Sequence, residues 1–230
     1  MNRVQLGNPA PVGKPAPALA VAEWFQGQPV NFDALRGQVV LLEVFQVNCP
    51  GCFLYSLPQA IALHHRYADQ GLTVLGVATA FEDFDKNTTA NLRRLLETGE
   101  LIGETLKTLT AQGLANNGCW TERLPFAVGM DELRKSQQPV TAEHVEQFIL
   151  EKIPHFDQQP VGYQNLIRQQ VLEYLKYLEY QAVTFQRFAL QGTPSHILVD
   201  QFGILRSRQF GYFEDLEMQI RSLLAETQPR

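Results

Sequence analysis

Residues 39–57, VVLLEVFQVNCPGCFLYSL, place two of the chain's three cysteines at the end of a continuous apolar run. Gln38–Phe45 is rich in Val and Leu, which predicts a central strand buried on both faces. After the cysteines, apolar residues recur at helical spacing and predict a helix to about Gln70, with Pro58 kinking it. The two cysteines therefore lie at a strand-to-helix junction.

This placement has chemical consequences for Cys49. Pro50 suits the first helical position, where its missing N–H costs nothing. Unpaired N–H groups and the positive end of the helix dipole then favour the thiolate form of Cys49. Cys52 follows one turn later, close enough to close a small disulfide. The pattern favours a redox dithiol, with an exposed attacking sulfur and a shielded resolving sulfur.

Two other kinds of site are open at this point. A structural disulfide between Cys49 and Cys52 would restrict very little chain, so it would stabilise the fold poorly. A zinc site needs two further ligands. Cys119 is single, and His64 and His65 are adjacent, so they point to different sides of their helix. We therefore expect no metal and no cofactor other than the redox-active disulfide itself.

Glu43 is the only charged residue in the predicted strand, and it precedes Cys49 by an even spacing. We expect a carboxylate here to lie beneath the dithiol, where burial disfavours its charged form. Such a group can take the proton of Cys52 as that cysteine attacks a mixed disulfide. The alternative is a glutamate that reaches solvent or a surface lysine at the end of the strand.

Three residues farther along the chain are weaker candidates. Pro194, in Gly-Thr-Pro, opens a late strand after a helix stop, which is compatible with a cis peptide bond. His196 could touch the dithiol, although an ordinary strand histidine is the simpler interpretation. Cys119 could be a third redox thiol, but a free and partly buried cysteine is simpler.

The rest of the chain alternates predicted strands and helices. A short N-terminal hairpin is predicted to turn at Gly27, and Leu72–Ala80 is predicted to be a second buried strand, parallel to the first. The remaining predicted elements are a broken helix over 88–113, a third strand over Leu124–Asp131, a helix from Thr141 to Ile153, a helix over 161–190, an antiparallel pair turning at 201–203 and a helix over Phe213–Leu224.

The composition restricts the classes of partner. The chain has 230 residues, 45% hydrophobic and 19% charged, which suits a globular protein with a sizeable core. A net charge of −5 without long Lys/Arg clusters argues against nucleic-acid binding. No apolar run approaches the ~18 residues of a membrane span. We expect a cytoplasmic protein as the sequence is written, or a periplasmic or exported one if a leader was removed.

The strand–CPGC–helix unit and the late GTPSHILVDQFGIL, followed by a terminal helix, resemble the thioredoxin fold. The stretch FDALRGQVVLLEVFQVNC and the predicted hairpin resemble the TlpA/ResA-like thiol–disulfide oxidoreductases. The resemblance implies an α/β fold with a mixed central sheet flanked by helices and an N-terminal hairpin. It implies one domain over 1–230, with a core at about 13–83, 124–131 and 188–230. Large helical insertions would occupy about 84–123 and 132–187.

The resemblance also implies roles for individual residues. Cys49 would be the nucleophile, Cys52 the resolving cysteine, Pro194 a cis-proline packed against them, and Glu43 the buried acid. The partners would be a protein or small-molecule thiol or disulfide and an upstream reductant. The helix over 161–190 could also join two copies as a homodimer.

The chain departs from the family pattern at three positions. Asn48 stands where many relatives carry Trp, and Pro58 comes one residue later than is usual. Redoxin-type peroxidases, which share the architecture, usually carry Thr where this chain has Gln46, so a peroxiredoxin-like thiol peroxidase is only an alternative. A further alternative is a non-enzymatic binding protein that uses the helical insertion.

Overall fold

The structure, a computed structural model, describes residues 11–135, 140–177 and 180–226. Its strands are β1 (Val21–Gln26), β2 (Val39–Phe45), β3 (Leu72–Ala78), β4 (Ala115–Asn116), β5 (Cys119–Trp120), β6 (Ala127–Asp131), β7 (Leu133–Lys135), β8 (Tyr180–Ala182), β9 (Ser195–Val199) and β10 (Leu205–Phe210). Its α-helices are α1 (Leu57–Tyr67), α2 (Thr89–Thr98), α3 (Gly103–Ala111), α4 (Ala142–Lys152), α5 (Val161–Tyr177), α6 (Val183–Arg187) and α7 (Leu216–Ala225).

A mixed sheet with strand order β1-β6-β3-β2-β9-β10 forms the centre of the fold. β2 runs parallel to β3 and β3 parallel to β6, while β1, β9 and β10 pair antiparallel with their neighbours. Every residue of β2 is buried, as its continuous apolar sequence predicts. The predicted βαβ unit and the predicted antiparallel pair β9–β10 are confirmed.

The two faces of β2 have different surroundings. Val40, Leu42 and Val44 face a core shared with β3, β9 and the partly buried Phe185 of α6. Because side chains alternate along a strand, Leu41, Glu43 and Phe45 point to the opposite face. The helices α1 and α7 contact β2 there and cover that face with buried apolar side chains. Glu43 therefore lies on the face covered by the helix that follows the cysteines.

The helix after the cysteines starts irregularly. The chain becomes helical at Pro50, passes through a π-helical turn over Cys52–Ser56, and continues as α1. Pro58, at which the sequence predicts a kink, follows the π-turn directly as the second residue of α1. Gly71 ends the helical stretch with a φ of 99°, as predicted.

The predicted N-terminal hairpin is wrong. β1 pairs with β6, so β6 is an interior strand and β1 takes the edge of the sheet. The chain does turn at Gly27, but the following residues form no strand. Instead, the side chain of Asn31 accepts hydrogen bonds from the N–H groups of Leu19 and Phe32 and caps a 3₁₀ turn. These side-chain bonds replace the strand pairing that the hairpin would need.

The predicted helix over 161–190 is also wrong. α5 ends at Tyr177, β8 follows, and α6 begins separately at Val183; Leu178, inside the predicted helix, lies outside the described residues. The reason is a set of long-range bonds at Thr184. Its N–H donates to Asp131 at 2.7 Å, and its hydroxyl bonds to the backbone of Ala20. These bonds fix the start of α6 against the sheet, so one continuous helix cannot form.

The chain divides into two compact units. The described residues of 1–132 and 182–230 form the first, which contains the six-stranded sheet, and Leu133–Gln181 form the second. In the second unit, α4 and α5 pack around a small core of Val145, Ile149 and Val171. This unit lies inside the predicted insertion 132–187, whereas α2 and α3 belong to the first unit. The domain boundaries drawn from the sequence stay a prediction.

Candidate active site

Cys49 and Cys52 are joined by a disulfide at the end of the segment that follows β2, with Cα atoms 5.4 Å apart. Cys49 is half-buried, and Cys52 is fully buried. The difference in exposure follows from position, because Cys49 precedes the first turn of the helix and Cys52 lies inside it. A partner molecule can therefore reach the sulfur of Cys49 but not that of Cys52.

The surroundings of the Cys49 sulfur suit a negative charge. The backbone N–H of Cys52 donates to this sulfur at 3.3 Å. After reduction, this bond and the start of the helix would stabilise a thiolate at Cys49. The carbonyl oxygen of Thr193 lies 3.5 Å from the same sulfur and can accept a hydrogen bond from the thiol form. The site can therefore support both protonation states of the attacking cysteine.

Pro194 lies against the CPGC segment. The Thr193–Pro194 peptide bond is cis, and the proline is buried. A Cβ added to Gly51 would meet the Pro194 ring at 3.8 Å, so the ring packs beside the residues between the two cysteines. The structure thus brings Cys49, Cys52 and Pro194 together.

Gln46 joins this proline segment to a distant loop. Its side-chain oxygen accepts from the Thr193 hydroxyl at 2.9 Å, and its side-chain nitrogen donates to the carbonyl of Glu82 at 3.3 Å. Gln46 is buried, so both bonds are shielded from water. At the position where redoxin-type peroxidases usually carry Thr, this chain therefore has a residue that holds the proline segment in place.

Asn48 anchors the residues just before Cys49. Its amide nitrogen donates to the carboxylate of Asp83 at 2.7 Å, and its side-chain oxygen accepts from the N–H of Glu104 at 2.7 Å. Its backbone N–H donates to Asn87. These bonds connect the approach to Cys49 with the loop before α2 and with the first turn of α3. The sequence shows Asn48 only as a departure from Trp, and it gives no signal for these hydrogen bonds.

Glu43 is fully buried, as predicted, but its partner was not predicted. Its Oε2 lies 2.6 Å from Nδ1 of His196, which is 1% exposed. The two residues are paired in the antiparallel register of β2 and β9. None of the hydrogen bonds found among the described residues joins Glu43 to either cysteine. The position of His196, two residues after Pro194 on a strand beside β2, was the available signal.

The electrostatics of His196 reflect this pairing. Burial disfavours the imidazolium, but the Glu43 carboxylate outweighs burial, and the pKa of His196 is raised above its usual value. The backbone of Gly211 adds a smaller effect in the same direction. The pairing with Glu43 therefore favours the imidazolium form of His196.

Cys119 is a free, half-exposed cysteine on β5. Its neighbour Trp120 packs edge-on against Phe53, next to Cys52, with ring centroids 4.9 Å apart. Across the described ranges, no group of three or more His, Cys, Asp and Glu side chains is arranged to hold a metal ion. Of the helices described, none has the length and apolarity to cross a membrane.

Comparisons with known proteins were made for sequence and for structure. No family model matches the chain. A segment of 59 residues is 34% identical to Protein DipZ of Mycobacterium bovis and of Mycobacterium tuberculosis. That match covers 26% of this chain and 8% of the DipZ proteins, so the chain matches only a small part of their length.

Solved structures match over most of the chain. A thiol–disulfide isomerase from Corynebacterium glutamicum superposes with a TM-score of 0.55 at 26% identity, covering 92% of this chain and 98% of its own. A thioredoxin-like superfamily protein superposes with a TM-score of 0.57 at 23% identity, covering 94% and 99%. The likeness to the thioredoxin-like superfamily protein shows the fold, and the likeness to the isomerase supports an oxidoreductase activity. The mixed sheet and these likenesses show that the chain has a thioredoxin-like fold, and its CPGC disulfide and the likeness to the isomerase make it similar to thiol–disulfide oxidoreductases.

Proposed function

We propose that the protein exchanges the Cys49–Cys52 dithiol with disulfides of partner proteins. The observation that carries this proposal is the disulfide at the start of a helix, with Cys49 half-exposed and Cys52 fully buried. A bond spanning so short a segment stabilises a fold little, whereas it opens and closes readily when one sulfur is accessible.

The exchange proceeds in two steps. The Cys49 thiolate attacks one sulfur of the partner disulfide, a Cys49–partner bond forms, and the other partner sulfur leaves as a thiolate. Cys52 then loses its proton, with Glu43 as the proposed acceptor, and its thiolate attacks the Cys49 sulfur. The Cys49–Cys52 bond forms and the second partner thiolate leaves. Two electrons pass from the dithiol to the partner, and an upstream reductant restores the dithiol.

The surface near the site supports a protein as the partner. Tyr55, three residues after Cys52, and Tyr212 are exposed, with ring centroids 6.1 Å apart. With Leu54 and Gln59 they line an open cavity of about 690 Å³. The exposed ring of Phe210 covers Gly192, next to the proline segment. Exposed aromatic residues of this kind suit contact with a polypeptide.

A trapping experiment tests the function. Cys52→Ser removes the resolving sulfur and leaves Cys49 at the start of its helix, so the mixed disulfide should accumulate. We expect the variant, expressed in the source cell, to form reducible adducts with one or a few proteins. Mass spectrometry would name these proteins.

Cys49→Ser and the double variant are the controls, and neither should form adducts. If Cys52→Ser traps nothing beyond what Cys49→Ser traps, the oxidoreductase proposal fails and the binding-protein alternative takes its place. The trapped partner would also test the compartment, which stays a prediction, as do the reductant and the homodimer.

A further inference from the structure

His196 is a buried titratable side chain for which thiol–disulfide exchange has no established use. It is 1% exposed, Glu43 is 0% exposed, and the two side chains meet at 2.6 Å. Taking either charge out of water alone would be costly, while an imidazolium and a carboxylate in contact stabilise each other. Gain or loss of a proton by one of the two side chains therefore affects the other.

The register partners of the pair on the neighbouring strands carry no charge. On the other side of Glu43, the register partner on β3 is Gly76, which has no side chain. The register partner of His196 on β10 is the uncharged Gln209. Arg208 pairs with Ile197, whose side chain belongs to the core on the opposite face of the sheet. Its side chain donates to the carbonyl of Phe188.

The helices that cover this face add little charge. Their buried residues are Leu57, Ala60, Ile61, Leu63 and Tyr67 on α1, and Leu216, Ile220 and Leu223 on α7. The Tyr67 hydroxyl is bonded to Glu217, a residue with a partly exposed side chain. The π-helical turn contributes two further titratable groups, the buried Cys52 and the exposed Tyr55. The resolving cysteine is therefore the buried titratable group of this turn.

One oxygen of the pair is free to accept a proton. Oε2 of Glu43 is bonded to His196, while Oε1 is buried without a hydrogen-bond partner among the described residues. Buried polar atoms are normally hydrogen-bonded, so an unpartnered carboxylate oxygen calls for a functional explanation.

We propose that His196 is a positioning residue that holds Glu43 as the carboxylate which takes the proton of Cys52. This inference rests on the proposed function. The bond to His196 engages Oε2 and fixes the orientation of the carboxyl group, which leaves Oε1 as the oxygen that can accept the proton. In the resolving step the proton of the Cys52 thiol moves to Oε1, while His196 keeps its bond to Oε2. The Cys52 thiolate then attacks the Cys49 sulfur and the partner thiolate leaves.

The rate test uses the reduced protein and an aromatic disulfide, Ellman's reagent, with Cys119→Ser as the common background. The first thiolate released reports attack by Cys49, and the second reports attack by Cys52. His196→Gln keeps a neutral donor for Glu43 but cannot carry a charge. We expect the second phase to be at least about tenfold slower near pH 7 and to reach its plateau at a higher pH, with the first phase unchanged.

Double substitution separates positioning from a structural effect. Glu43→Gln should slow the second phase by itself. If His196 acts through Glu43, adding His196→Gln to Glu43→Gln should slow it no further. The neutral pair in this double variant also avoids an unpaired buried charge, so it is expected to fold even if His196→Gln does not. An equal additional loss in the double variant would overturn the inference.

The titration of His196 can also be measured on folded protein in which no thiol–disulfide exchange takes place. NMR should show the His196 ring titrating at a higher pH in the parent than in Glu43→Gln, because the carboxylate stabilises the imidazolium. Equal midpoints would overturn the inference, as would an unchanged second-phase profile in an active His196→Gln. A parent that releases no second thiolate would instead overturn the proposed function.

Discussion

Gly103 packs directly against Asn48, the residue just before Cys49. Its φ is +53°, a conformation that other residues rarely adopt, and an added Cβ would overlap the side-chain oxygen of Asn48. That oxygen accepts the N–H of Glu104 at 2.7 Å. We expect Gly103→Ala to lower the free energy of unfolding by about 2–3 kcal/mol, from backbone strain and a weakened hydrogen bond.

Gly113→Ala is the matched control for this prediction. Gly113 has a φ of +71° with open space around a Cβ, so its substitution introduces strain alone, about 1 kcal/mol. Urea unfolding of the two variants and the parent measures the difference. Equal losses would show that Asn48 tolerates the new methyl group and that its anchor is weaker than the distances suggest.

The site residues differ in how far the sequence could predict them. Cys49, Cys52 and Glu43 lie on one strand-to-helix segment, where local periodicity gives their spacing and burial. His196 is separated from Glu43 by 153 positions, and only the register of β2 against β9 brings the two together. A local pattern does not contain that register, so the pair could not be predicted from it.

At the scale of elements, the hydrogen bonds of Thr184 fix where α6 begins. Its hydroxyl accepts from the Ala20 N–H at 2.9 Å and donates to the Ala20 carbonyl at 3.2 Å. Thr184→Val keeps the shape of the side chain but leaves the buried Ala20 N–H without its acceptor, while the Ala20 carbonyl keeps its bond from the N–H of Glu132. We expect a loss of about 1–3 kcal/mol in the free energy of unfolding.

Thr110→Val is the comparison for Thr184→Val, since Thr110 is an exposed threonine on α3. Its effect should stay within about 0.5 kcal/mol. Thermal or urea unfolding of both variants gives the comparison. A Thr184→Val variant as stable as Thr110→Val would mean that the bonds to Ala20 do not hold α6 in place.

Elements with local signals were predicted, and those set by distant bonds were not. Gly71 ends its helical stretch and Thr141 caps α4, and both boundaries were predicted from these residues. The edge position of β1 depends on its pairing with β6, about a hundred residues away in the chain. The break after Tyr177 likewise depends on Asp131, which no helical periodicity can reveal.

For the molecule as a whole, the Glu43–His196 pair couples stability to pH. The folded protein holds the His196 proton more tightly than the unfolded chain, because the pKa of His196 is raised on folding. The stabilisation is therefore complete below the unfolded value of about 6.5 and is lost as the pH rises through the folded value. We expect the free energy of unfolding to fall over that range.

The neutral double variant Glu43→Gln/His196→Gln should lack this component. Urea unfolding between about pH 5.5 and pH 9 would compare its stability with that of the parent. The stability difference between the two proteins, parent minus variant, should decrease as the pH increases. A difference that stays constant or grows would show that the pair does not carry the expected proton.

The π-helical turn over Cys52–Ser56 affects how this chain should be aligned with its relatives. The N–H of Leu57 bonds to the carbonyl of Cys52, five residues back, so the turn contains one residue more than an α-helical turn. The later part of α1 keeps its packing while the extra residue is absorbed next to the cysteine. An alignment with a relative whose helix lacks this π-turn therefore needs a one-residue gap between Cys52 and Pro58.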